Sequence, residues 1–371
     1  MIEETTIKGE VYFIGEKEIG GGGNHTGYFK IGMVGKEGMT EERRLNEHQT
    51  GNPRELFIHK KIDTLEPFWV ESSLHQRYGK KRARAEWHAF NPEELEEVIA
   101  EAQTLADKVE THYQCIRDQE TLQNKESNGN SRRADQDFLK WFIAVCCAHW
   151  AESKLVTYKN WYTGEFTAYE KAGRPSIDEE PQESKVPLVT GSRTSKIFDK
   201  EKFKDAYPEI YSRFMESTRV LKKTFQIKYS NYEKLSQGFS DDKEENKRDI
   251  ESQTKSTYEF LGDFCSRFEK RSNEVKGNPK KFRELDDLYF ELKGWISICT
   301  WDKKVAEAHM ACFCGEFNAV IDEYGNNLLT WKREWKESKK LNQSELKEAY
   351  PEEYEKFVTE KRSEVTRENK S

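Results

Sequence analysis

Tyr12, Lys30, Arg44, His48 and Glu71 fall in that order within the first 92 residues. They offer a phenol, an ammonium, a guanidinium, an imidazole and a carboxylate. Hydrolysis of a phosphodiester asks for such a set. A carboxylate-held cation clamps the phosphate and the leaving oxygen. An arginine neutralises charge that builds on the non-bridging oxygens. A nearby Tyr, Lys or His takes or steers the proton of the attacking water. Taken singly, each group also has a plain reading. A strand lysine faces solvent. Arg44 pairs with Glu41 or Glu47 on a helix surface, and Glu71 serves the positive end of a helix. His48 is a helix-surface histidine, and His75 fills a core. The case for chemistry rests on the ordered set.

The elements that must carry these groups are legible. "EVYFIG" (Glu10 to Gly15) and "GYFKIGMV" (Gly27 to Val34) are short β-prone runs joined by the glycine-rich "GGGGNHTG", so a hairpin is expected. Tyr12 sits on its first strand and Lys30 on its second. A helix is expected from Met39 to Gln49 with Thr40 as N-cap, placing Arg44 and His48 on one face. Arg54 to Ile62 alternates as a strand, and a second helix over Pro67 to Tyr78 carries Glu71. "AEWHAF" (Ala85 to Phe90) closes the unit, and Asn91-Pro92 caps the next helix, which runs to roughly His112. Arg77, Lys80, Lys81, Arg82 and Arg84 form a candidate strip of phosphate contacts.

Composition narrows the function. The chain has 371 residues, a formal net charge of -7 and 35 % charged residues. Residues 1–92 hold 14 Lys plus Arg and 14 Asp plus Glu, so the whole acidic excess lies beyond them. Five of the eight histidines and none of the seven cysteines fall in that neutral part. No apolar run of about 18 residues and no signal-peptide pattern is present, which argues against a membrane or secreted setting. The cysteines read as reduced thiols of a cytoplasmic protein.

With the ordered motifs in view, residues 9–90 resemble the GIY-YIG endonuclease superfamily, in the phage and bacterial branch whose second motif reads Lys-Ile-Gly. "VYFIG" is similar to the first motif, with Tyr12 as its tyrosine, and "FKIG" to the second, with Lys30. "RRLNEHQTGNP" resembles the "R…QTGNP" signature and puts Arg44 at the catalytic arginine, with His48 four residues on. "ESSLHQRY…RARAEWHAF" resembles the closing motif and puts Glu71 at the metal-binding glutamate. The resemblance implies a small antiparallel sheet flanked by helices, Mg2+ (or Mn2+) as cofactor and DNA as substrate. It covers about a quarter of the chain. Two departures stand out: a long glycine-rich loop, Glu16 to Thr26, and His88 where the family usually has Phe.

Beyond residue 92 a mainly α-helical region is expected: a helical connector and polar linker over 93–134, a helical repeat unit over 135–236, and long charged helices with a second repeat unit over 237–371. The repeat aligns Ser195–Phe214 with Ser338–Phe357 without gaps, around a shared "AYPE". Its tail faintly resembles that of YqaJ-type phage exonucleases. Cys299, His309, Cys312 and Cys314, and likewise Cys146, Cys147 and His149, raise a zinc reading. Their spacing and apolar neighbours favour buried thiols instead. The sum is a metal-dependent endonuclease, probed against two alternatives: a nucleic-acid-binding module without cleavage, or a scaffold in which the helical region engages a protein partner or a second copy. Residues 1–92 hold every candidate group, so that fragment is expected to fold alone with marginal stability.

Overall fold

The computed structural model describes residues 8–19, 25–35, 40–50, 52–84, 86–171, 188–231, 258, 261–276, 282 and 285–368. The middle of the glycine-rich loop, the Pro-rich segment after residue 171 and most of the charged stretch that begins near residue 240 lie outside the described residues.

The N-terminal unit is built on β1 (Gly9–Lys17), β2 (His25–Val34), α1 (Glu41–Gln49), β3 (Leu56–Thr64), α2 (Pro67–Arg77), β4 (Arg82–Arg84), β5 (Trp87–Ala89) and α3 (Pro92–Leu122). Its five strands form one antiparallel sheet in the order β3-β1-β2-β5-β4. Strand alternation sorts the residues. Val11, Phe13, Phe29 and Ile31 face α2 and α3 in the main core. Tyr12, Ile14 and Val34 turn to the opposite face, where Leu45 of α1 packs on them. Thr40 caps α1 by accepting from the Arg43 amide, and Asn91 with Glu94 closes a capping box on α3, as their types require.

The boundary expected near Asn91 runs through this core. Leu95, Val98, Ala102 and Leu105 of α3 are buried in it, and α3 continues to Leu122 rather than ending near His112. The core also takes Trp301, Val305 and Ala308 from a helix some 200 residues downstream. Trp69 meets Trp301 with ring centroids 5.7 Å apart, and Lys304 Nζ donates to Glu66 Oε1 at 2.9 Å. A fragment ending at residue 92 is therefore expected to be largely unfolded, as read by far-UV circular dichroism and thermal melting. A cooperative melt of that fragment would reinstate the earlier boundary.

The C-terminal region is mostly helical. It contains β6 (Ser131–Arg133), α4 (Gln136–Lys171), β7 (Leu188–Phe198), α5 (Lys200–Ala206), α6 (Pro208–Arg213), β8 (Met215–Ile227), α7 (Leu261–Val275), α8 (Asp286–Cys314), β9 (Ala319–Ile321), β10 (Asn327–Leu341), α9 (Gln343–Ala349), α10 (Pro351–Glu355) and β11 (Val358–Glu368). The long helices α4 and α8 share two aromatic-rich cores, one of them with α7. Buried Arg333 ties ends together: its guanidinium donates to the carbonyls of Leu122 at 2.9 Å and Gly315 at 2.6 Å, at the C-termini of α3 and α8. Helix C-termini carry partial negative charge, which suits a buried cation.

The two repeat copies depart from the helical units expected. Each folds as strand–helix–helix–strand: β7-α5-α6-β8 and β10-α9-α10-β11. The residue before each proline has the same backbone, Tyr207 at φ -134° and ψ 60° and Tyr350 at φ -135° and ψ 62°. Proline bars that residue from the helical region, so both copies break between two short helices. The copies then clasp each other. β7 pairs with β11, β8 pairs with β10, and Phe203, Leu341, Leu346 and Tyr354 from both copies form one small core.

Candidate functional site

Lys30 is a buried strand lysine, 7 % exposed, and not a solvated one. Register explains it. Lys30 stands opposite Ile14 on β1 and opposite Trp87 on β5, on the sheet face that carries Tyr12. Its ammonium donates to Oε2 of Glu86, in the turn between β4 and β5. Burial alone raises the Glu86 carboxyl. The Lys30 charge and hydrogen bond, joined by His75 and His48, outweigh it and hold the group below the usual carboxylate range. Its side chain stays 51 % exposed, so the carboxylate is ringed by protein yet reachable from solvent. Glu86 is the residue that sequence reasoning missed.

Tyr12 lies flat across β2 because its opposite residue is Gly32. A Cβ there would stand 2.5 Å from the Tyr12 ring and hydroxyl. The glycine of "FKIG" is thus the floor on which the tyrosine rests. Burial pushes the phenol well above its ordinary range. The Glu86 and Glu71 carboxylates add to that, Arg44 opposes it and Glu47 adds a little. Glu86, Glu71 and Arg44 all lie within electrostatic reach of the Tyr12 hydroxyl. At neutral pH its hydroxyl is a hydrogen-bond donor, not a base.

Arg44 and His48 are aimed by the end of α1. Gln49 stitches that end to β3: its Nε2 donates to the carbonyls of Asn52 at 3.1 Å and Arg54 at 2.8 Å, and its Oε1 accepts from the Leu56 amide at 2.8 Å. This gives the "QTGNP" stretch a mechanical job. Arg44 donates from Nη1 to Glu47 at 3.1 Å, while its Nε is buried with no partner. His48 lies near enough to lower the Glu86 carboxyl.

Glu71 and His75 are one turn apart on α2, with Oε1 and Nε2 3.8 Å apart and each side chain 12 % exposed. Both ring nitrogens of His75 are buried without hydrogen-bond partners. His75 stacks on His88 at 5.2 Å, and His88 on Phe90 at 5.6 Å. Arg44 Nε and the two His75 nitrogens are thus buried polar atoms that make no hydrogen bond within the protein.

His88, where a phenylalanine was the expectation, is fully buried. Its Nδ1 donates to the Glu86 carbonyl at 3.1 Å. Burial lowers the imidazole from its ordinary 6.5 to about 3, and His75 and Arg82 push the same way. Between those two values the unfolded chain binds the proton and the folded one does not. Stability present above pH 6.5 is therefore lost as pH falls through that window. His88→Phe keeps the ring stack and removes the titration. It is expected to flatten the acid limb of the pH–stability profile by roughly 2–3 kcal/mol between pH 7 and pH 4. Urea melts at the two pH values read this, and an unchanged slope would assign the acid lability elsewhere.

The basic strip is weaker than its sequence suggests. Arg77 is ion-paired with Glu101, and Lys81 with Glu94, both on α3. Among the described residues no group of three or more His, Cys, Asp and Glu is placed to hold a metal, either at Glu71 or among the C-terminal cysteines. Cys146, Cys147, Cys299 and Cys314 are buried in cores. His309 lies flat on Trp141 at 3.9 Å, and Cys312 donates to the Cys115 carbonyl at 3.3 Å. His149 stacks on Tyr229 at 3.9 Å. No described helix is long and apolar enough to cross a membrane.

Residues 9–103 match the T5orf172 domain, a phage-associated domain related to nuclease-like domains. The match spans β1 through the first third of α3, and so includes every group of the candidate site. No curated protein and no solved structure matches the chain.

Proposed function

We propose that the chain is a metal-dependent endonuclease of GIY-YIG type that hydrolyses phosphodiester bonds in DNA. The observation that carries this reading is the Lys30–Glu86 pair on the Tyr12 face of the sheet, with Arg44 of α1 and Glu71 of α2 within electrostatic reach of the Tyr12 hydroxyl. A divalent cation of the Mg2+ or Mn2+ kind suits Glu71, since Mg2+ takes one or two carboxylates and completes its shell with water and phosphate oxygens. When bound it would polarise the phosphate and stabilise the leaving oxygen.

The chain's own groups have distinct tasks in this reading. Arg44 turns its unpaired Nε toward a non-bridging oxygen and offsets the charge that grows there. Tyr12, protonated and held flat by Gly32, donates to the incoming phosphate or water. Lys30 and Glu86 form a buried-edge pair in which the carboxylate, kept ionised, accepts the proton of the attacking water and the ammonium holds it in place. His48 stands within electrostatic reach of that carboxylate and serves as a relay. His75 stands one turn along α2 from Glu71 and is itself held by its stack on His88.

The test incubates full-length protein with plasmid, single-stranded DNA and RNA, with Mg2+ or with EDTA. Metal-dependent nicking of plasmid supports the reading. Binding without any cleavage under all conditions would replace it with a nucleic-acid-binding module, and neither binding nor cleavage would favour the scaffold.

A further inference from the structure

The ladder between β8 and β10 runs unbroken from Met215 opposite Leu341 to Ile227 opposite Leu329. Both ends are anchored. Ile227, Leu329 and Trp331 join the core shared by α4 and α8, and Leu341 joins the small core of the clasped repeat. Between the anchors the ribbon is bare on both faces: residues 216–220 and 222–224 of β8 are exposed, as are 335–337, 339 and 340 of β10.

This ribbon is basic in an acidic chain. Its two strands hold eight Lys and Arg against three Glu, a net of +5, while the whole chain carries -7. Lys336 with Glu334, at 3.0 Å, is the one ion pair within it among the described residues. By register, Arg219, Lys223 and Lys339 share one face with Trp335, and Lys222, Lys336 and Lys340 share the other. Trp335 is 43 % exposed, with the Arg219 guanidinium over its ring at 5.5 Å. A two-stranded ribbon with no buried face gains little from its own packing, and like charges along it oppose its formation. Such a device is explained by a polyanion. The exposed span, nine residues from Glu216 to Thr224, is about 30 Å long at the usual rise per residue. One helical turn of duplex DNA is about 34–36 Å.

We propose that the β8–β10 ribbon is a duplex-DNA-binding arm that lies in the major groove and contacts phosphates through Arg219, Lys222, Lys339 and Lys340. The major groove of B-form DNA admits a two-stranded β-ribbon, whereas that of duplex RNA is too deep and narrow. The arm supplies the phosphate contacts that Arg77 and Lys81, committed to Glu101 and Glu94, do not. It deepens the nuclease reading by naming where the substrate is held, but it is read by binding alone.

The experiment measures fluorescence anisotropy of a labelled DNA duplex of about two helical turns, in EDTA, across a salt series, with the full-length protein. The variant carries Arg219→Gln, Lys222→Gln, Lys339→Gln and Lys340→Gln. Its affinity should fall about tenfold or more, and the slope of log affinity against log salt should drop by about 3–4, since each phosphate contact contributes about 0.9. A second variant carrying Lys222→Arg, Lys339→Arg and Lys340→Arg should bind as the native chain does, which separates lost charge from lost folding. Unchanged affinity of the glutamine variant, or tighter native binding to an RNA duplex of the same length, would overturn the proposal. A chain that binds through the ribbon but never cleaves leaves this arm standing and removes the nuclease reading. One that cleaves while the glutamine variant binds normally does the reverse.

Discussion

Glu71→Gln is expected to abolish cleavage while DNA binding stays roughly intact. The substitution keeps the shape of the side chain and removes one charge. Glu71 is 12 % exposed on a helix whose buried residues include Trp69, Val70 and Leu74, and the amide fills the same space, so the fold is expected to persist. A cation that has lost its carboxylate forfeits several kcal/mol of charge stabilisation in the transition state, about a thousandfold or more in rate. The measurement is single-turnover nicking of plasmid at saturating Mg2+, beside anisotropy binding in EDTA. Substantial Mg2+-dependent cleavage by the variant would remove Glu71 from the site. Loss of binding together with cleavage would mark it as structural.

Arg44→Ala should lower turnover by about 100-fold or more, the worth of one transition-state charge contact of roughly 3–4 kcal/mol. Folding should survive. The partner of Arg44 is Glu47 on the same helix, at 3.1 Å, and such surface pairs contribute about 0–1 kcal/mol. Arg44→Lys keeps the charge but not the planar fork, so an intermediate rate is expected. If the alanine variant melts like the native chain and cleaves equally well, Arg44 has no part in the chemistry.

The residues of the first motifs were readable because each sits on an element that its own neighbours specify. Thr40 announces α1, Asn91-Pro92 announces α3, and alternation assigns Tyr12 to one sheet face. Glu86 was not readable. It lies in a turn between two three-residue strands and belongs to no periodic pattern. Only the pairing of Lys30 with Trp87, across 57 residues of chain, delivers its carboxylate to the lysine. The reach of the core was hidden for the same reason, since nothing local to Trp301 says that it will meet Trp69. In the repeat, "AYPE" was plain, but the strands around it were not. A stretch such as "ESTRVLKKT" has no apolar face, and a strand without one looks like any charged segment. His88 was noticed as an oddity, but its burial and its bond to the Glu86 carbonyl needed coordinates.

The clasp between the repeat copies also sets an order of events. Among the described residues β8 pairs only with β10, and β7 only with β11. Both strands of the first copy therefore wait for strands made more than 100 residues later. Closing loops of that length precedes any reward from pairing, which makes such ladders slow to form. During synthesis β7 and β8 emerge before either has its partner strand, leaving two long edges unsatisfied. Unpaired edges are templates for any strand that arrives first. In a polysome the nearest second copy is on the neighbouring ribosome, and its β10 and β11 fit the waiting edges as well as the chain's own do. The symmetry that lets one chain close on itself equally lets two chains close on each other. A closed monomer and an exchanged pair would then be built from the same two strand ladders.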